Sequence, residues 1–178
     1  MTKRTSKARS TLKKRKTPKK RPGPKVTKKG LRWRLDQAFS WYIRLTHADE
    51  DGNCKCFTCN KVLHWSKIQN GHFISRRRLK TRWRPDNCRP QCYGCNIASS
   101  GMQWLFGKYL DEYYGKGHAE AMYRLSLQTY EPTKQQYEDY IEYYQGHVAA
   151  ILARRIERDS AERARIPKEA LQGLHLHK

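Results

Sequence analysis

Four cysteines, one histidine and two asparagines carry the chemistry this sequence can offer. Cys56-x2-Cys59 and Cys92-x2-Cys95 are separated by 32 residues. That is the spacing of a closed zinc site, in which two knuckles supply four thiolates and leave no position for substrate. Such an ion is structural, and it pins two stretches of chain together. Cys54 and Cys88 read as small side chains near that site, with exchange of one of them into the ligand set as the alternative. Between the pairs stands His72, whose neutral imidazole can take a proton from water near pH 7. Asn96 directly follows Cys95, so the knuckle would hold its amide oxygen rigidly as a hard ligand for Mg²⁺ or Mn²⁺. A water in line with a phosphate whose charge a divalent cation neutralises is what phosphodiester hydrolysis requires.

The stretch between the cysteine pairs is also rich in cations. Arg76, Arg77, Arg78, Lys80, Arg82 and Arg84 are candidates for holding nucleic-acid phosphates, which guanidinium groups match bidentately. Arg76, four residues beyond His72, is the candidate for stabilising the transition-state phosphate. Trp83 lies among them, either stacking on a base or packing inside the fold. Asn87 has a different expected role. An amide on a loop can bridge backbone groups and so orient the His72 segment without touching substrate.

These residues need elements to place them. Leu31, Leu35, Phe39, Tyr42 and Ile43 recur at helical spacing and predict a helix over 31–49. A hairpin or knuckle is expected over 54–65, a strand ending at Phe73-Ile74, and a long functional loop over 75–90. Met102, Leu105, Phe106, Tyr109, Leu110 and Tyr113 form an amphipathic stripe that ends at Gly115-Lys116-Gly117. A short helix follows over 118–127. Thr133 and Gln136 form a capping box, and Tyr137, Ile141, Tyr144, Val148 and Ile151 continue from it as a helical face. That face is either core or a homodimer interface. The pattern weakens beyond about Arg158. The reading is therefore a mostly helical α+β protein with three parts: a disordered basic tail over 1–30, a zinc-stabilised domain over 31–155, and a weakly structured C-terminal tail over 156–178.

Composition narrows the partners. The chain has 178 residues, of which 37% are hydrophobic, and carries a net charge of +22. Residues 1–30 hold 14 of the 38 Lys and Arg and no acid, which leaves 24 basic against 16 acidic residues, a net +8, for the rest. The body is thus basic without its tail, as expected of a protein that neutralises phosphates and releases counterions. No apolar run is long enough to span a bilayer or to act as a secretory signal. A cytoplasmic setting (the host cell's, if the gene is phage-borne) favours metal over disulfides for the six cysteines.

Several uncommon strings in order give the sequence a resemblance. Leu35-Asp36-Gln37-Ala38-Phe39-Ser40-Trp41-Tyr42-Ile43-Arg44-Leu45 is followed by Cys56-Phe57-Thr58-Cys59 and Gly71-His72-Phe73-Ile74-Ser75-Arg76-Arg77. Thr81-Arg82-Trp83, Asp86-Asn87, Gln91-Cys92-Tyr93-Gly94-Cys95-Asn96 and Leu110-Asp111-Glu112-Tyr113-Tyr114-Gly115 complete the set. Over roughly residues 31–150 it resembles the phage NinG/Rap family of recombination endonucleases, and its core is similar to the wider HNH, or His-Me finger, nucleases. The resemblance implies a ββα-metal fold, with His72 as general base on the hairpin and Asn96 as metal ligand on the helix. It also implies structure-selective cutting of branched DNA such as D-loops and Holliday junctions. Two positions depart from the pattern. Gly71 stands where many HNH enzymes place Asp or His, and Gln69 stands where NinG-like sequences often carry an acid. Asp86, His64, a backbone carbonyl or His72 itself are the alternatives for a second ligand. The expected activity is that of a metal-dependent endodeoxyribonuclease. The alternatives are a zinc-stabilised DNA-binding protein without catalysis and a basic structural or ribosome-associated protein.

Overall fold

The computed structural model describes residues 27–165. Most of the expected basic tail, and the part of the expected C-terminal tail beyond 165, lie outside the described residues. The order is α1 (Lys28–Thr46), β1 (Asn53–Lys55), β2 (Val62–His64), β3 (Gln69–His72), α2 (Leu79–Arg82), a 3₁₀ turn (Pro85–Asn87), β4 (Cys88–Gln91), a π-helical turn (Gly94–Ala98), a second 3₁₀ turn (Ser100–Met102), α3 (Gln103–Tyr114), α4 (His118–Ser126) and α5 (Lys134–Arg165). The protein is mostly helical α+β with two small antiparallel sheets, β1–β2 and β3–β4.

α1 begins three residues before its first apolar position. The Thr27 hydroxyl accepts from the Gly30 amide at 3.2 Å and caps it. Its inward stripe, Leu31, Leu35, Phe39 and Ile43, is buried. It meets Tyr137, Ile141 and Tyr144 of α5 in the main core, where Phe39 and Tyr144 pack edge to face with centroids 5.0 Å apart. The tyrosine-rich face of α5 is therefore core on this side. The capping box closes as expected: the Thr133 amide donates to Gln136 Oε1 (2.9 Å) and the Gln136 amide to Thr133 Oγ1 (3.2 Å). α5 runs unbroken through 156–165, so the helix passes the point where the apolar pattern fades. Arg155 extends the reason, because its guanidinium donates to the carbonyls of Ala48, Asp49 and Glu50 at the end of the α1 connection. Polar docking, rather than an apolar stripe, holds that stretch.

The segment 75–90, expected as loop, contains α2, a 3₁₀ turn and most of β4. Asp36, the one acid on α1, explains this order. It receives Arg82 Nε at 2.9 Å and Nη2 at 2.5 Å, and also Trp83 Nε1 at 2.8 Å. The polar run is thereby tied to the helical core. Trp83 is a packing residue, 7% exposed and set against Tyr137. In the second sheet Gln69 pairs with Gln91 and His72 with Cys88. No helix among the described residues is long and apolar enough to cross a membrane.

Candidate active site

The cysteine cluster is the frame of the site. Cys56 and Cys59 lie in the turn between β1 and β2, closed by the Cys56 amide on Lys61 O and the Asn60 amide on Cys56 O. Cys92 and Cys95 lie where β4 passes into the π-helical turn. The four sulfurs are all within 4.8 Å of one another, and Cys59 and Cys92 Sγ are 3.7 Å apart. A tetrahedral zinc with Zn–S bonds of about 2.3 Å needs sulfur–sulfur edges of about 3.8 Å, so these residues can hold a zinc ion. Burial works against a thiolate at Cys56. Hydrogen bonds from the Cys92 amide, the Thr58 hydroxyl and neighbouring amides outweigh it and bring the thiol to about 6. Burial, with the neighbouring sulfurs, pushes Cys95 up to about 12. Four thiols this close cannot all ionise without a cation among them. Cys54 donates instead to Arg44 O, and Cys88 is buried in the helical core; both are small side chains outside the cluster.

β3 leads from this frame to His72. Its Nε2 lies 3.0 Å from the carbonyl of Arg82, and a carbonyl only accepts. The proton therefore sits on Nε2 and the Nδ1 lone pair is left over. The ring is deep in the protein, with one edge open to a cavity. Burial pulls its pKa down to about 4, helped by the charges of Arg76 and Arg82, while the carbonyls of Arg82 and Asn70 pull the other way. His72 is neutral at physiological pH. Its orientation is relayed from α1, because Asp36 holds the Arg82 guanidinium and the Arg82 carbonyl holds the ring.

Asn87 holds the bend that follows the His72 strand and ties it to α2. Its Oδ1 accepts from the Ile74 amide (2.8 Å), and its Nδ2 donates to the carbonyls of Ile74 (3.1 Å) and Thr81 (3.0 Å). It is fully buried and does not line the cavity that His72 lines. Asn96 sits in the π-helical turn with its amide on Cys92 O at 2.9 Å. Its Nδ2 donates to Gln69 Oε1 at 2.7 Å, which leaves Oδ1 as the free end.

His72 and Asn96 open on one cavity of about 730 Å³, together with Arg44, Lys67, Gln69, Asn70, Arg76 and Gln103 among others. Among the described residues no Asp or Glu lines it. Asp86 is paired with Arg84, and the His64 ring meets Ser66; neither residue lines the cavity. Gly71 has a steric reason to lack a side chain. A Cβ there would lie 2.2 Å from Gln91 Oε1, and Gln91 cannot swing away, since its Nε2 donates to Thr58 Oγ1 and to Gly101 O. Gln91 thus joins the first knuckle to the turn after the second. In that turn Ser100, Gly101 and Met102 all have positive φ, and beyond it the Gln103 Nε2 donates to His72 O at 3.3 Å. Strained backbone of this kind persists only where neighbours fix it.

The arginine run divides. Arg76 lines the cavity. Arg77 and Arg78 are exposed, and Lys80 lies over the Tyr130 ring. Arg82 is bound to Asp36 and Arg84 to Asp86, so their charges are already partnered. Asp36, Arg44 and Gln91 stand in the motif strings with no role that the sequence assigns them, and Gln103 stands outside those strings. The signal available was one polar residue each on an apolar helix or beside a knuckle, which by itself is commonplace.

The sequence matches the family described as Bacteriophage Lambda NinG protein over residues 1–157. The chain therefore belongs to that family. The match begins at residue 1, so the basic segment that the motif strings left out is part of it. No curated protein and no solved structure matches.

Proposed function

We propose that this NinG-family chain is a metal-dependent endonuclease of the HNH type that hydrolyses branched DNA during phage recombination. The observation that carries the reading is the shared cavity. A neutral His72, held through Nε2, and Asn96, whose Oδ1 has no hydrogen-bond partner, both line it, among the cations Arg44, Lys67 and Arg76. The order β3, β4, helical turn, with His72 on the first strand and Asn96 after the second, supports a ββα-metal core.

The donor set suits a hard cation that arrives with its own anion. Asn96 Oδ1 is a neutral oxygen, and among the described residues no carboxylate lines the cavity, so the negative charge such a cation needs would come from the DNA phosphate. A divalent cation held there would neutralise charge on the phosphate. The protein's own residues do the rest. His72 Nδ1 takes the proton of the attacking water as its oxygen bonds to phosphorus, and the Nε2–H stays on the Arg82 carbonyl. Arg76 stabilises the charge that builds on the phosphoryl oxygens, and the bond to the leaving sugar oxygen breaks as that oxygen gains a proton from solvent. Gln69 fixes the Asn96 amide, and Asn87 fixes the bend that follows His72.

The test is incubation with a labelled four-way junction, a D-loop and linear duplex, in Mg²⁺ or in EDTA, beside His72→Ala. Metal-dependent nicking of the branched substrates, lost in the variant, is the expected result. DNA that is shifted but never cut would instead make this a zinc-stabilised binding protein, a reading that the absence of a lining carboxylate favours.

A further inference from the structure

We infer that the α1 end of the cavity is a second phosphate site, built from Arg44 and Lys67, for the backbone phosphate beside the one that His72 faces. The inference rests on the nuclease reading for the identity of the polyanion. Arg44 is held as a bracket. Its Nε donates to Ser40 O (3.0 Å), and its Nη1 donates to the carbonyls of Trp65 (3.1 Å) and Ile68 (3.4 Å). Those carbonyls fix the guanidinium in one plane without neutralising it. Among the described residues no carboxylate pairs with Arg44, and its Nη2 has no hydrogen-bond partner. Burial pulls its pKa down, the mark of a cation lacking a counter-charge.

Lys67 belongs to the turn that Arg44 grips, since residues 65 and 68 receive the guanidinium. Lys67 has no acid partner among the described residues, and it lines the same cavity as Arg44, Ser40 and Ser66. Arg76 stands beyond the far end of β3. That strand, Gln69 to His72, spans about 10 Å from first to last Cα, so the two cationic groups flank the His72–Asn96 centre. A site with phosphate positions on both sides of its centre takes a continuous strand rather than a lone phosphomonoester or a mononucleotide.

The experiment is fluorescence anisotropy of a labelled four-way junction in EDTA, where nothing is cut, across a salt series. Wild type is compared with Lys67→Ala, Lys67→Arg and Arg44→Lys, each checked by thermal melting. Lys67→Ala should weaken binding about tenfold at low salt and reduce the salt slope by about 1, and Lys67→Arg should restore both. Neutral methylphosphonates placed singly along the strand should weaken wild-type binding at adjacent positions. In Lys67→Ala and Arg44→Lys one of those positions should no longer matter. A purely structural role for Arg44 would lower the melting temperature and leave that pattern intact. Folded Lys67→Ala with the wild-type slope and the full methylphosphonate pattern overturns the inference, and Lys67→Ala alone decides if Arg44→Lys does not fold. Wild type that binds the junction in EDTA but never cuts it in Mg²⁺ removes the nuclease reading, and the anisotropy pattern then decides this one separately. Wild type without affinity for DNA overturns it outright.

Discussion

Between α1 and α5 the buried side chains are Leu31, Leu35, Phe39, Ile43, Tyr137 and Ile141, with two more aromatic rings and a cysteine against them. Around the knuckles the buried set is Cys54, Cys56, Cys92 and Cys95 with Ile68 as its single large aliphatic residue. The first region is held by apolar area, which stabilises by about 25 cal/mol per Å² removed from water. The second has too little of it. What orders it is Gln91 bridging two turns and Asn87 bridging α2 and the bend after β3, together with four cysteines that can hold a zinc ion. The candidate catalytic groups stand on the second region, while their orientation is braced from the first through Asp36 and Arg82. The site is thus built where almost no core exists, by hydrogen bonds anchored on a neighbouring core and by a cysteine cluster that can hold a zinc ion.

Removing the metal separates the two regions most sharply. Structural zinc sites contribute about 10 kcal/mol or more. A chelator should therefore abolish cutting and melt the β1–β2 and β3–β4 region, while far-ultraviolet circular dichroism keeps most of the α1–α5 helix signal. Metal analysis should give about one zinc per chain. Simultaneous loss of both regions would show that the helical core does not stand alone. Truncating the other side, Phe39→Ala, should cost about 3–5 kcal/mol in chemical denaturation. It should also loosen His72, whose ring centroid lies 6.3 Å from that of Phe39.

A third difference is in pH. His72 has a pKa of about 4 in the folded protein, depressed chiefly by burial, against about 6.5 in an unfolded chain. The unfolded state takes up a proton first, so the contribution is fully present above about pH 6.5. It is lost as pH falls toward 4, by about 3 kcal/mol at most. Protonating thiols destabilise the metal region over an overlapping range, so the measurement is the difference in denaturation midpoint between wild type and His72→Asn across that window. A constant difference would contradict the assignment. Next, Gly71→Ala should cost about 1–3 kcal/mol by overpacking against Gln91 and should reduce cutting. A fully stable Gly71→Ala protein would mean that Gln91 moves freely. The smallest effect expected is Thr133→Ala at the α5 cap, about 1 kcal/mol in thermal or chemical melts with cutting unchanged.

Legibility in the sequence followed the same division. Leu31, Leu35, Phe39 and Ile43 announced α1, and Thr133 with Gln136 announced the start of α5, because caps and helical periodicity are local. The end of α5 was not legible. Arg155 and Arg158 dock on carbonyls of the 48–50 turn, and no pattern in one segment encodes a partner a hundred residues away. Segment 75–90 read as loop because its own composition is polar, whereas Asp36 on another helix supplies what orders it.

By itself the sequence determined the chemistry on offer. Cysteine spacing is a covalent fact, so the two Cys-x2-Cys pairs and the position of Asn96 immediately behind the second were fixed before any folding, whereas folding alone brings the four sulfurs within 4.8 Å of one another. Only the tertiary structure decided which groups share a cavity and which are spent. It placed Arg44 and Lys67 in one cavity with Asn96, sealed Trp83 inside, engaged Arg82 and Arg84 with acids, and set Gln91 where a side chain on residue 71 would have to be. Distances across the chain are set by packing and hydrogen bonding between segments, and residue type carries no record of them.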